Sequence, residues 1–316
     1  MTIRVERAGL LTTVQDLGRH GRQHEGIPES GAMDPHAARL ANLLLGNRDD
    51  AAVLEVTLAG PLLTFEADVE FALGGGDFGA KLDGAPVPRW RSVTARRGSQ
   101  LDIGAATTGC RAYVAVAGGI DVPAVFGSRS TYVRGAFGGY QGRAVRKGDS
   151  LPLGVGVSGG AAAGVRILAH SLVPEYRRTL RIVPGAHLER LTPVAKSTFW
   201  SAEFVVSTRA DRMGYHLDGP PLDVTDSSEL LSAAVTTGTI QLPAGGAPIL
   251  LMADRQTTGG YPRLGQVATV DLGSAAQLKP GDAIRFEPTA VEEAQRLYVE
   301  RERATDALRL ALSRVR

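Results

Sequence analysis

The sequence predicts a mainly β protein of two domains with a C-terminal helix. Three observations carry this expectation. Short runs of β-branched and apolar residues recur along most of the chain, and Gly and Pro (39 and 17 residues) interrupt them. The interruptions come at intervals of about 10 residues, the rhythm of a barrel or sandwich. A stretch of small residues, G-V-G-V-S-G-G-A-A-A-G (154–164), has the composition of a linker. From Thr289 the pattern turns charged and helical.

The clearest early element is a helix over 34–45, D-P-H-A-A-R-L-A-N-L-L-L. Asp34 is placed to accept from orphan amides as the N-cap, Pro35 suits the first helical position, and Gly46-Asn47 ends the run. Ala37, Leu40 and Leu44 give it one apolar face. Strands are expected at 53–58, 69–73, 112–117, 203–207 and 267–272, where the runs are V-L-E-V-T-L, V-E-F-A-L, A-Y-V-A-V-A, E-F-V-V-S and V-A-T-V-D-L. R-G-S-Q-L (97–101), K-G-D-S-L (147–151) and P-G-D-A-I (280–284) repeat a turn-then-strand pattern, and the last two each close a domain. The expected division is therefore 1–153, 165–289 and a helical tail, 290–316. In the tail Val291, Ala294, Tyr298, Ala304, Leu308 and Leu312 make an interrupted stripe. It suits a helix packed on its own domain with a solvated outer face, or alternatively a partner-binding helix.

The net charge is +2, with the excess base mostly in the tail, too weak a balance for a nucleic-acid partner. The single cysteine, Cys110, rules out an internal disulfide framework and reads as a buried structural thiol. The N-terminus has no apolar signal region, and no apolar run approaches the ~18 residues of a membrane span. A cytoplasmic protein is expected.

G-G-G-D-F-G (74–79) matches G-x-G-x-x-G after a strand. A dinucleotide site would need a helix next, to aim its amides at a pyrophosphate. K-L-D-G-A-P-V-P follows instead, which reads as a hairpin. There is no Walker sequence, H-E-x-x-H or C-x-x-C. His20 and His24 stand four apart, but Gly21 and Gly26 argue against a helix that would align them, so no metal site is expected. Polar groups cluster instead at strand ends: Gln15, Asp16, Arg19, Ser30 and Asp34; Ser128 and Arg129 in G-S-R-S-T (127–131); Arg212 in A-D-R-M-G (210–214); and the whole of A-D-R-Q-T-T-G-G-Y-P (253–262). Each alone is more often a surface turn. Their recurrence matters, because loops on a rigid scaffold are where sites are built. Guanidiniums, amides, hydroxyls and glycine-freed N–H groups suit a small amide or acid.

These blocks together carry a resemblance. T-T-V-Q-D-L-G-R, S-G-A-M-D, L-E-V-T-L-A-G-P, A-Y-V-A-V-A-G-G-I-D-V-P, G-S-R-S-T, D-R-M-G, G-T-I-Q-L-P, M-A-D-R-Q-T-T-G-G-Y-P and Q-L-K-P-G-D occur in order over about residues 9–287. The chain resembles the allophanate-hydrolase-subunit-2 (KipA) family, which includes the C subunit of ATP-dependent 5-oxoprolinase and the second half of the carboxyltransferase domain of urea carboxylase. The resemblance implies two cyclophilin-like β-barrel domains and a subunit-1/KipI-type partner. In the 5-oxoprolinase arrangement it implies a further LamB/YcsF-type subunit, with 5-oxo-L-proline opened to L-glutamate. ATP would then be used by the complex, not through a nucleotide motif in this chain. The alternatives are a carboxyltransferase subunit for urea or another amide, receiving carboxybiotin carried by another chain, and a KipA-like regulatory binding protein.

From chemical type and loop position, Asp254, Arg255, Gln256 and Tyr261 are the catalytic candidates. Arg255 or Arg212 would meet a carboxylate, Asp254 would orient an N–H or act as base, and Tyr261 would close the pocket. Thr257, Thr258, Gly259, Gly260, Arg212, Gln241, Ser128 and Arg129 are the substrate-binding candidates. The chain departs from the family pattern at Ser232-Ala233-Ala234, where Ser-Glu-Gly is expected, so no role is placed there.

Overall fold

A computed structural model describes residues 1–155 and 165–313. Residues 156–164, most of the expected linker, lie outside the described residues. Contacts divide the chain into two units. The first comprises Met1–His20, Ser30–Pro174 and the residues from Ala304, and the second Gly21–Glu29 and Glu175–Arg303.

In the first unit, the described strands form two sheets. One runs in the order Ser150–Pro152, Thr2–Arg7, Leu62–Phe65, Gln100–Asp102, Lys81–Leu82, Ala85–Pro86; the other runs Leu11–Gln15, Val53–Thr57, Thr108–Val116, Val69–Asp77, Ser92–Ala95. Side chains alternate across a strand, so each sheet offers one face to a shared core. Ile3, Val5, Leu63, Phe65, Leu101 and Leu151 from the first sheet pack with Leu54, Val56, Phe71, Val114 and Val116 from the second. The second sheet is buried on both sides. Its opposite face, with Val53, Ala72, Tyr113 and Ala115, is covered by the helix Pro35–Leu44 through Ala37, Leu40, Ala41 and Leu44. That helix begins as the sequence dictates, with the Asp34 carboxylate accepting from Ala37 N–H at 3.0 Å. Beneath its start Glu55 accepts from Tyr113 Oη and Met33 N–H, at 2.9 and 2.7 Å, so this buried acid organises polar groups under the helix N-terminus. Burial, then the charges of Glu55 and Asp34, push the Tyr113 phenol well above its usual value.

The glycine-rich 74–79 run is strand as far as Asp77, not phosphate cradle. Gly74 and Gly75 pair with Tyr113 and Ala112, and the chain then makes the expected hairpin, with Leu82 opposite Ala85 over Asp83-Gly84. At Gly75, with φ +82°, a side chain would meet the Arg111 carbonyl at 2.4 Å, so glycine is required for this approach.

The turn K-G-D-S-L also shows why its residues recur. Asp149 accepts from Arg146 N–H at 2.7 Å and takes a two-pronged contact from Arg143 at 2.7 and 2.8 Å. The Arg143 hydrogen bonds, helped by the Arg146 amide, hold the Asp149 carboxyl below its ordinary value. A lowered carboxylate stabilises the fold above its unfolded pKa of about 3.9 and loses that contribution as pH falls through the folded value. Asp149→Asn should therefore lower the urea midpoint at pH 7, and the gap to wild type should narrow at about pH 3. An unchanged gap at both pH values would count against this assignment.

In the second unit, seven strands close a barrel in the order Thr179–Pro184, Arg263–Val267, Thr239–Gln241, Ile249–Leu251, Gly214–Asp218, Phe204–Ala210, Ala283–Pro288. Every pairing is antiparallel except the closing one, in which Thr179–Pro184 runs parallel to Ala283–Pro288. The expected mainly β class, barrel closure and C-terminal helix are thus present, the helix spanning Val291–Ser313.

One strand expectation is corrected. Residues 267–272 are not a strand: the strand ends at Val267, and Thr269–Asp271 and Leu272–Ala276 are short helical turns. The buried Asp271 carboxylate accepts from both the backbone N–H and the guanidinium of Arg181, at 2.5–2.9 Å, and this turns the chain. Of the tail stripe, Leu308 and Leu312 pack on the cluster around the early helix, while Val291 and Tyr298 are exposed. The contact units also depart from the 1–153 and 165–289 division. Ser92 and Leu168 donate backbone bonds to Arg166 and Trp90, which keeps this segment with the first unit, and Glu29 pairs with Arg255 in the second. Among the described residues no helix is long and apolar enough to cross a membrane.

Candidate functional site

The loop 253–262 leaves the barrel strand Ile249–Leu251 and separates into an inner and an outer part. The inner part is buried and already paired. Asp254 and Arg212, each with a side chain 6% exposed, form a two-pronged pair, Nε to Oδ2 at 2.9 Å and Nη2 to Oδ1 at 3.1 Å. The Asp254 N–H also donates to the Arg212 carbonyl at 2.8 Å, so the pair ties the loop to the turn that carries D-R-M-G. Both carboxylate oxygens are thus engaged by the guanidinium, a planar two-pronged contact that fixes the loop.

Arg255 is likewise enclosed. Its Nε donates to the Val235 carbonyl at 3.2 Å, Nη1 to Thr237 Oγ1 at 2.8 Å and Nη2 to Glu29 Oε2 at 2.7 Å. The guanidinium holds the 235–237 turn and the 21–29 segment in place. A substrate-facing role, expected for Arg255 or Arg212, is not what this geometry favours, because burial and protein acceptors occupy both. Gln256 donates to Gln241 Oε1 at 3.2 Å. Gln241 is 1% exposed, and its Nε2 has no partner among the described residues. That nitrogen packs beneath Gly259, where a side chain would come within 2.5 Å of it.

The outer part faces open space. Thr258–Gly259 pairs with Ala233–Ala234 as a small two-stranded ribbon, which places the departure from the family pattern directly beside the loop. Val235 N–H donates to the Thr257 carbonyl at 3.1 Å. Tyr261, 50% exposed, stands between two cavities. The larger, of 840 Å³, is lined by Arg190, Asp226, Ser228, Glu229, Gly260 and Tyr261 among others. The smaller, of 340 Å³, is lined by His187, Glu229, Ala233, Gly259, Tyr261 and Arg263 among others. Arg190 is held by Asp226 at 2.9 Å and by Ser228.

His187, Arg190, Glu229 and Arg263 were not singled out by the sequence. The one available signal was position, since His187 follows the strand Thr179–Pro184 and Arg263 directly follows Y-P. The His187 Nδ1 accepts from the Arg263 N–H at 3.1 Å, which leaves the proton of the neutral ring on Nε2. Burial first, then the charges of Arg263 and Arg190, lower its pKa, so the neutral form dominates near pH 7.

Ser128 and Arg129 lie in the first unit, apart in the chain from this loop. Ser128, 1% exposed, donates to Asp16 Oδ1 at 2.7 Å, and Ser130 Oγ donates to the same oxygen at 2.5 Å. The Arg129 N–H reaches Asp16 Oδ2 at 2.6 Å, and its Nε reaches the Val122 carbonyl at 2.9 Å. Asp16 thereby locks the 128–130 turn, with Arg19 stacked 4.9 Å over the Phe137 ring beside it. No group of three or more potential metal-ligating side chains occurs among the described residues.

Comparison with known proteins agrees with this architecture. The 5-oxoprolinase C subunit of Escherichia coli K12 is 39% identical over 308 residues, covering 97% of each chain. The corresponding protein of Haemophilus influenzae is 36% identical over 94% of each. Urea amidolyase of Saccharomyces cerevisiae is 33% identical over 93% of this chain, which spans only 17% of that protein. The crystal structure of K. lactis urea amidolyase superposes with a TM-score of 0.91 and 31% identity, over 97% of this chain and 20% of that one. The resemblance drawn from the sequence blocks is borne out. Residues 25–288 match the model of the carboxyltransferase domain, subdomains A and B, and the chain belongs to that family.

Proposed function

We propose that this chain is the C subunit of a multi-subunit, ATP-dependent 5-oxoprolinase, acting on 5-oxo-L-proline to give L-glutamate. The observation that carries the reading is the end-to-end match with the E. coli protein, 97% of each chain, where the urea enzymes match through only a fraction of their length. The outer part of the 253–262 loop and its two cavities form the substrate-facing surface, and Asp254, Arg255 and Gln256 hold that surface in shape. Tyr261, Thr258, Gly259 and Gly260 face the small amide or acid. A subunit-1/KipI-type chain and a LamB/YcsF-type chain complete the enzyme.

The residues here do not fit a nucleotide. Among the described residues, the glycine-rich run 74–79 starts in a paired strand that ends at Asp77 and has no helix N-terminus after it, so it offers no phosphate cradle. ATP chemistry is therefore assigned to another subunit. A second reading, carboxyl transfer from carboxybiotin on another chain, is favoured by the TM-score of 0.91 to a urea amidolyase.

The test is reconstitution. The chain should be co-purified with its subunit-1-type and LamB/YcsF-type partners, and ATP-dependent loss of 5-oxoproline measured with each chain omitted in turn. Turnover that requires this chain is expected. Turnover of urea with a biotin-bearing chain, and none of 5-oxoproline, would favour the second reading. A stable complex with neither activity would favour a KipA-like regulator.

A further inference from the structure

The carboxylate of a small acid needs a guanidinium that the fold has not already used. Arg212 and Arg255 are buried against Asp254 and Glu29, and Arg190 is held by Asp226. Arg263 differs from all three. It is half-buried, lines the 340 Å³ cavity, and makes no ion pair among the described residues. Its Nη1 donates to the Ala234 carbonyl at 3.2 Å, a neutral acceptor that leaves the guanidinium charge uncompensated. A guanidinium carries five N–H donors in a planar fork that matches a carboxylate. The neighbouring groups add complementary chemistry. His187, with Nδ1 occupied by the Arg263 amide, offers only an Nε2 donor. Glu229 is an exposed acceptor on the rim, and the half-exposed Tyr261 supplies an aromatic wall. Ala233 on the ribbon beside the loop contributes no charge to the cavity.

We propose that the cavity between Arg263, His187 and Tyr261 is a binding site for a small carboxylate that also carries an amide N–H and carbonyl. Arg263 takes the carboxylate, His187 Nε2–H donates to the carbonyl oxygen, and Glu229 accepts from the N–H. This rests on the 5-oxoprolinase reading and names the subsite within it. The charged and titratable groups facing the cavity are Arg263, Glu229, His187 and Tyr261, with Arg190 adding a positive charge near the imidazole.

The experiment is titration calorimetry on the full chain with 5-oxoproline and with 2-pyrrolidone, the same lactam without its carboxylate. Wild type should prefer 5-oxoproline. Arg263→Gln should weaken 5-oxoproline by about tenfold or more while leaving 2-pyrrolidone unchanged, and Arg263→Lys should recover part of the loss. Equal binding of the two lactams by wild type, or unchanged 5-oxoproline affinity in Arg263→Gln, would overturn the proposal, as would no binding by wild type at all. Turnover by the wild-type reconstituted complex is read separately. Its presence with a failed titration removes this subsite alone, and its absence removes the 5-oxoprolinase reading itself.

Discussion

Asp254→Ala is expected to destabilise the second unit by about 3–5 kcal/mol, the loss that follows when one partner of a buried ion pair is removed. Arg212, with its side chain 6% exposed, would lose the carboxylate that engages it through both oxygens. The two residues also fasten the loop 253–262 to the turn at 211–214 through the Asp254 N–H. The effect should therefore reach the loop first, as faster amide exchange at Arg255 and Gln256, before global unfolding. Replacing both partners together by apolar residues of similar volume should cost far less, because the pair's attraction is offset by the desolvation of its charges. Urea denaturation of the single and double variants measures both. A single variant as stable as wild type would contradict the assignment of Asp254 to holding the loop.

Asp16→Ala should have a comparable effect in the first unit. Asp16 is 7% exposed and accepts from Gly18 N–H, Ser128 Oγ, Arg129 N–H and Ser130 Oγ, at 2.5–2.8 Å. Alanine leaves these donors unsatisfied, at about 1–3 kcal/mol for each one that water does not reach. The turn is crowded as well: at Gly138, with φ +70°, a side chain would meet the Ser130 carbonyl at 2.1 Å. The expected result is a loss of several kcal/mol, or failure of the unit to fold. Asp16→Asn, which keeps one acceptor, should be intermediate. If Asp16→Ala unfolds at the wild-type urea concentration, the turn is not held in this way.

The sequence made the architecture legible wherever a local rule coincided with the tertiary need. Asp34 and Pro35 start a helix because the cap and the fixed φ serve that helix alone, and Asp83-Gly84 turns a hairpin for equally local reasons. The run 267–272 failed for the opposite reason. V-A-T-V-D-L alternates like a strand, but Asp271 is bound by Arg181, ninety positions earlier in the chain, and no local pattern reports such a partner. The site was legible only as a region. A-D-R-Q-T-T-G-G-Y-P reads as a dense row of binding groups, yet the chemically strongest of them, Asp254 and Arg255, are those that burial and pairing commit to structure. Composition cannot distinguish a guanidinium that faces a ligand from one enclosed by Val235, Thr237 and Glu29. Nor could it find His187, which comes to Arg263 and Tyr261 through barrel pairing and not through sequence proximity.

On the proposed function, the inner residues of this loop hold it while its outer face meets the substrate. Tyr261→Ala tests this most directly, because Tyr261 is half exposed and its removal leaves the buried pairs untouched. Measured as kcat/KM for ATP-dependent 5-oxoproline loss by the reconstituted complex, alongside the urea midpoint of the isolated chain, the variant should lose about tenfold or more in activity, as expected for one large side chain that covers a bound ligand. Its stability should match wild type. Undiminished kcat/KM in an intact complex would contradict the claim.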